Sequence, residues 1–148
     1  MKKILIISFI ILLIDLVSKR LVINLLIENE SIKVIDGFFS LTYVKNTGVA
    51  FSMIEGYVWL IIIATIIILF MLFKYIKDGI NSNIELVSYG FILGGAIGNL
   101  IDRIFYGYVV DFFDFTIFSY QAPIFNVADI FIVVGVFMLI IFGRNGDK

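Results

Sequence analysis

Neither cysteine nor histidine occurs in these 148 residues. Their absence excludes disulfides, thiol nucleophiles, Ser-His-Asp triads and histidine-liganded zinc within the chain. Any reaction must therefore use carboxylates, lysines, hydroxyls or backbone groups, and nothing in the sequence calls for a cofactor or a metal. Charge is scarce as well. Charged residues make up 16% and the formal net charge is −1, so no basic field points to nucleic acid. Tandem repeats and low-complexity linkers are missing, and the length suits one domain (1–148) rather than two.

What the chain has in abundance is apolar surface. Hydrophobic residues reach 61% and the mean hydropathy is +1.11, far above the share in soluble domains. A soluble fold with such a surface would aggregate, so the natural solvent is a bilayer. About 30 Å of hydrocarbon takes roughly 20 helical residues to cross. Four stretches are long enough, at about 4–27, 57–75, 86–105 and 124–142. The fold class expected is an all-α membrane protein of four transmembrane helices. Lys2 and Lys3 before an apolar run suggest a signal peptide. No small-x-small cleavage site follows, however, and Asp15, Lys19 and Arg20 interrupt the run, so a retained helix is expected.

Lys2, Lys3, Lys74, Lys77, Arg144 and Lys148 fall on one side of a four-span chain, and only Lys33 and Lys45 are counted on the other. The basic side faces the cytoplasm, which puts both termini there and segments 28–56 and 107–123 outside. Segment 31–53 is rich in β-formers (Ile32, Val34, Phe39, Leu41, Tyr43), divided by Asp36-Gly37 and Asn46-Thr47-Gly48. It predicts a small β-sheet on the outer surface between helices 1 and 2. Segment 107–123 reads as an outer loop.

Ionisable residues inside membrane helices cost at least about 2.5 kcal/mol each at the bilayer centre, so they mark places to look for function. Asp15 and Lys19 are four apart on one helical face. They read as a structural pair that locks helix 1 into the bundle, with Lys19 nearer the surface. Ser18 beside Lys19 suggests a Ser/Lys dyad, but adjacent helical residues diverge by about 100°. In GFILGGAIGNLIDR (90–103), Gly90, Gly94 and Gly98 form a column that Asp102 continues. Gly95, Asn99 and Arg103 form the next column. The glycines permit close helix approach, while Asn99, Asp102 and Arg103 point toward one outer sector.

Asp111 in YVVDFFDF and Asp129 in FNVADIF are expected at one depth, because the connecting segment returns the chain to the same side. Two carboxylates in a low dielectric do not both ionise cheaply, so one keeps a proton and the other stays charged. That split supplies a base for water and an acid for a leaving amine, which is what an aspartic peptidase needs. Asp114 is a third carboxylate in the same segment. Solvated loop charges at Asp111 and Asp114, or a cation site of Asp111, Asp114 and Asp129, are the alternatives.

Five blocks in order, DLVSK (15–19), NTGVAF (46–51), GGAIGNLIDR (94–103), VVDF (109–112) and FNVAD (125–129), resemble the lipoprotein signal peptidases, or signal peptidase II family. The resemblance covers nearly the whole chain. Leu16 departs from the glutamine often found there in the family. The resemblance implies an aspartic endopeptidase of the bacterial inner (cytoplasmic) membrane. Such an enzyme would remove the signal peptide from prolipoproteins just before a diacylglyceryl-modified cysteine. It puts the catalytic pair on Asp111 and Asp129, near the outer face. Supporting positions fall on Asp15, Lys19, Asn46, Gly48, Gly95, Asn99, Asp102, Arg103, Asn126 and Ala128. The implied partners are lipid-modified prolipoproteins, membrane lipids and inhibitors of the globomycin type.

Overall fold

The computed structural model describes residues 1–48, 57–80 and 82–143. Among these are four helices, α1 (Lys2–Leu25), α2 (Val58–Asp78), α3 (Asn83–Tyr106) and α4 (Val127–Phe142). Four strands, β1 (Ser31–Ile35), β2 (Phe39–Asn46), β3 (Val109–Ile117) and β4 (Tyr120–Gln121), form one antiparallel sheet in the order β1-β2-β3-β4.

The helix ends follow from local chemistry. The Ser82 side chain accepts the Glu85 N–H at 3.1 Å and opens α3. Gly107, at φ 77°, closes it in the left-handed region, and its N–H donates to the Arg103 carbonyl. Asn126 caps α4 reciprocally with Asp129. That cap explains why α4 begins at Val127 and not near 124. Phe125 is still held in an extended bridge with Phe113.

Two helices, α2 and α3, are long and apolar enough to cross a membrane. α4 is apolar but has 16 residues, and α1 is interrupted by Asp15, Lys19 and Arg20. Outward faces between the helix ends are largely apolar: Phe9 on α1, Phe70 on α2, Phe105 on α3 and Ile140 on α4 are all largely exposed. Such a lateral surface fits a lipid solvent, where each backbone polar group must be paired internally.

α3 is the central helix. Its two small-residue columns face different neighbours. A Cβ at Gly94 would lie 2.6 Å from the Ser8 carbonyl of α1. One at Gly95 would lie 2.5 Å from the Ala128 carbonyl of α4. The glycines thus set both helices close to α3. At one end, Ile4, Ile76, Tyr89 and Leu93 form a core joining the start of α1, the end of α2 and α3. At the other, Val22, Leu26, Tyr43, Val110 and Phe112 join the end of α1 to the sheet.

The expected sheet between α1 and α2 is present as β1 and β2, but it does not end there. Segment 107–123, read from sequence as a loop, supplies β3 and β4. Its run VVDFFDFTI is β-branched and aromatic, and it pairs with β2 over Phe39–Asn46. Stacked rings strengthen the pairing, with Phe39 on Phe115 at 4.6 Å. The part of the expected outer segment at 49–53 lies outside the described residues, as do Arg144 and Lys148.

Candidate active site

The site forms where β2, β3, α3 and α4 converge at the sheet-bearing end of the helices. β3 carries Asp111, which is 2% exposed. The first turn of α4 carries Asp129, which is half-buried. Between them stands Asn126, fully buried. Its Nδ2 donates to Asp111 Oδ1 at 2.6 Å, and its backbone N–H donates to Asp129 Oδ2 at 3.1 Å. Its Oδ1 accepts the Asp129 N–H at 3.0 Å. One residue therefore holds both carboxylates while capping the helix that carries one of them.

Each aspartate has a second amide partner. Asn46 Nδ2 donates to Asp111 Oδ2 at 2.8 Å, and Asn46 Oδ1 accepts the Gly48 N–H. Asn99 Nδ2 donates to Asp129 Oδ1 at 2.8 Å. Asn99 Oδ1 accepts from Asn126 Nδ2 at 3.1 Å and from Lys19 Nζ at 2.8 Å.

Lys19 lies beneath this layer and is 2% exposed. Its ammonium contacts Asp15 Oδ2 at 2.7 Å and Asp102 Oδ2 at 3.0 Å, in addition to Asn99. The buried ammonium is thus compensated by two carboxylates and one amide oxygen. Asp15 Oδ1 accepts the Ala128 N–H at 2.9 Å, and Asp102 Oδ2 accepts the Val110 N–H at 3.2 Å. The Asp15–Lys19 pair ties α1 to α4 through the Ala128 N–H beside Asp129, and Asp102 holds the Val110 N–H beside Asp111. Lys19 is one turn nearer the sheet-bearing end than Asp15, as expected, and its side chain is buried there. The Ser18 hydroxyl donates to the Asp15 carbonyl, so it is turned away from any Ser/Lys chemistry.

Gly48 is buried, and its carbonyl accepts Arg103 Nη2 at 3.3 Å; Arg103 Nη1 reaches the Asn99 carbonyl at 3.4 Å. Gly95 and Ala128 meet at the α3–α4 contact directly behind Asp129. Asp111, Asp129 and the ten supporting positions thus converge on one network, Gly95 by packing and the rest by hydrogen bonds or ion pairs.

Asp114 is the exception among the carboxylates. It accepts from Thr42 Oγ1 at 2.8 Å and from Gln121 Nε2 at 3.2 Å, and it shares no partner with Asp111 or Asp129. Among the described residues no group of three or more acidic side chains gathers as a metal-ligand set. Asp114→Asn is accordingly expected to keep more than about half of native turnover, within the small range usual for changes outside a catalytic network. Steady-state cleavage rates check this, and abolished cleavage would move the expected catalytic pair to include Asp114.

Burial pushes the Asp111 carboxyl up to about 7, and the facing Asp129 adds to the rise. Hydrogen bonds from Asn46 and Asn126 and the charge of Lys19 oppose it. A carboxyl in that range stays protonated where ordinary carboxyls are charged, as a general acid must.

Sequence reasoning placed these residues near one another but missed how they are joined. Asn126 at the N-cap, three residues before Asp129, is a capping signal legible in FNVAD. The backbone contacts of Ala128 and Val110 leave no such signal.

The family model described as "Signal peptidase (SPase) II" matches residues 7–143. A lipoprotein signal peptidase of Halothermothrix orenii is 41% identical over 143 residues, covering 97% of this chain and 96% of that protein. One of Fusobacterium nucleatum is 46% identical over 135 residues, covering 89% and 80%. A solved structure described as a bacterial membrane enzyme superposes with a TM-score of 0.89 at 34% identity, covering 98% of this chain and 89% of that one.

Proposed function

The chain belongs to the signal peptidase II family, and from that premise we propose that Asp111 and Asp129 are the catalytic dyad of a lipoprotein signal peptidase. The reaction is hydrolysis of a prolipoprotein just before its diacylglyceryl-modified cysteine, by water activated between the two carboxyls. The observation that carries this reading is Asn126, whose single buried side chain and backbone hold both aspartates at once.

The remaining features fit that substrate. A signal peptide is itself an apolar helix, so its scissile bond lies near the membrane boundary. The carboxyls sit where the helices meet the sheet, at the level of that boundary if the helices cross the bilayer. We read all four helices as spans of one membrane-embedded domain, with α2 and α3 meeting the length requirement outright. Lys2, Lys3, Lys74 and Lys77 cluster at the end opposite the site. By the positive-inside rule that end is cytoplasmic, and both termini lie there in the inner membrane of a bacterium. Asn46, Asn99, Asn126, Asp15, Lys19, Asp102, Arg103, Gly48, Gly95 and Ala128 hold the dyad or its immediate frame. Membrane lipids and globomycin-type inhibitors are the further partners this reading entails. No cofactor enters it.

The direct test is incubation of the purified protein with a diacylglyceryl-modified prolipoprotein, followed by mass spectrometry. A mature product beginning at the lipidated cysteine is expected. Binding without product would make the protein a lipid-binding subunit instead, and a cut elsewhere would change the substrate class.

A further inference from the structure

A carboxyl pair that hydrolyses an amide needs one ionised and one protonated member, and the surroundings of Asp111 and Asp129 differ in three ways. The first is a directional chain. The Lys19 ammonium has no lone pair, so the Asn99 atom facing it at 2.8 Å must be the amide oxygen. Asn126 Nδ2 donates to the same oxygen. With its oxygen fixed, Asn99 turns its NH₂ to Asp129 Oδ1. Positive charge, acceptor, donor and carboxylate then run head to tail, an order in which each bond strengthens the next. Toward Asp111 the order is broken, because Asn126 Nδ2 donates in both directions. Among the described residues, the neutral amide of Asn46 has the Gly48 N–H behind it and no charged group.

The second difference is the helix. Asp129 is the third residue of α4 and sits within its capping box, where the positive end of the helix dipole favours negative charge. Asp111 is on a strand, which offers no comparable dipole. The third is solvent: Asp111 is 2% exposed, between buried Val110 and Phe112, while Asp129 is half-open. A buried carboxyl is the costlier one to ionise.

Taking these two aspartates as the dyad, we infer that Lys19 is a positioning residue that sets its polarity: through Asn99 it holds Asp129 as the ionised base and leaves Asp111 as the protonated acid. Among the described residues, the charged groups around the pair are Lys19 and Asp15 of α1 and Asp102 and Arg103 of α3. Asp15 and Asp102 hold the Lys19 ammonium in place by ion pairing, and it donates to Asn99 Oδ1.

The steps then balance. Water oxygen bonds to the carbonyl carbon as Asp129 takes a water proton and Asp111 gives its proton to the carbonyl oxygen. A neutral gem-diol results. Asp129 next passes its proton to the amide nitrogen as the carbon–nitrogen bond breaks, and Asp111 recovers a proton from a gem-diol hydroxyl. The products are a carboxylic acid and an amine, and both aspartates return to their starting states. The raised Asp111 carboxyl supplies a sign for the pH dependence. The acid is competent below about 7 and is lost as pH rises through that value, which gives kcat/KM a basic limb there.

Two measurements test the assignment. Infrared difference spectra of the resting protein in mildly acidic buffer need no substrate, so they are independent of whether prolipoprotein is cleaved. Native minus Asp111→Asn should contain the C=O band of a protonated carboxyl, and native minus Asp129→Asn the bands of a carboxylate. The reverse pattern, or two carboxylates, overturns the polarity. In the second measurement, Lys19→Gln should move the acid limb of the kcat/KM profile upward by on the order of one pH unit. Lys19→Arg should restore it. A lower rate on an unmoved profile would make Lys19 a structural residue only. If Lys19→Gln does not fold, the infrared pair still decides which aspartate carries the proton.

Discussion

Asp111→Asn and Asp129→Asn are each expected to lower cleavage of a lipidated prolipoprotein by at least about a thousandfold, within the range that general acid–base groups contribute. Asparagine preserves the size of the side chain and one acceptor oxygen. It neither takes a proton from water nor yields one to an amine. Folding should survive in both variants, because Asn126 can still donate to the remaining oxygen at 111 and still caps α4. The double variant should be little worse than either single one, since an acid without its base, or a base without its acid, has already lost the concerted step. Single-turnover assays, with circular dichroism to verify the fold, provide the measurement. Native-like turnover in both single variants would remove the dyad from the reaction.

Much of this site is legible in the residues themselves. Charges inside apolar helices are expensive, so Asp15, Lys19, Asp102 and Asp129 stand out against their surroundings. The absence of histidine and cysteine narrows the chemistry to carboxylates. Helical spacing brings Asp15 and Lys19 together, and the structure pairs them at 2.7 Å. The order of small residues along α3 marks its two packing faces, one against α1 and one against α4.

What stays hidden at that level depends on contacts between distant segments. Pairing of β2 with β3 joins residues about 70 positions apart, such as Ser40 with Asp114. Local propensity can propose a strand but not its partner. That register decides which side chains each carboxylate meets. Asp111 pairs opposite Val44 and is bonded by Asn46, whereas Asp114 pairs opposite Ser40 and is bonded by Thr42 and Gln121. Periodicity cannot separate them, because the register shifts between Leu41 and Val44. The backbone donors at Ala128 and Val110 are equally hidden, since every non-proline residue carries the same N–H.

Gly95→Ala is expected to damage catalysis more than stability, with Gly135→Ala as its counterpart. Both glycines line the contact between α3 and α4. A Cβ at Gly95 would stand 2.5 Å from the Ala128 carbonyl oxygen and 2.8 Å from Ile132 Cγ1. A Cβ at Gly135 would stand 2.8 Å from both the Ser88 carbonyl and Ile92 Cγ1. Each substitution forces the helices apart by some tenths of an ångström, and each should destabilise by about 1–3 kcal/mol, as overpacking generally does. The consequences differ because of what lies beside each contact. Ala128 is fully buried, its N–H is tied to Asp15 Oδ1 at 2.9 Å, and the next residue is Asp129. Its peptide cannot yield on one side without pulling on the other. The displacement therefore passes to the Asp129 carboxyl, where misplacement approaching 1 Å can cost as much as about a hundredfold in rate. Gly135 is two helical turns further along α4, roughly 10 Å from that carboxyl along the helix axis. Thermal unfolding in detergent should show comparable losses for the two variants. The kcat of folded enzyme should fall tenfold or more, on the order of the misplacement cost, for Gly95→Ala alone. Equal kcat in both would mean that the α4 N-terminus adjusts freely, and that the close α3–α4 approach serves packing without steering the dyad.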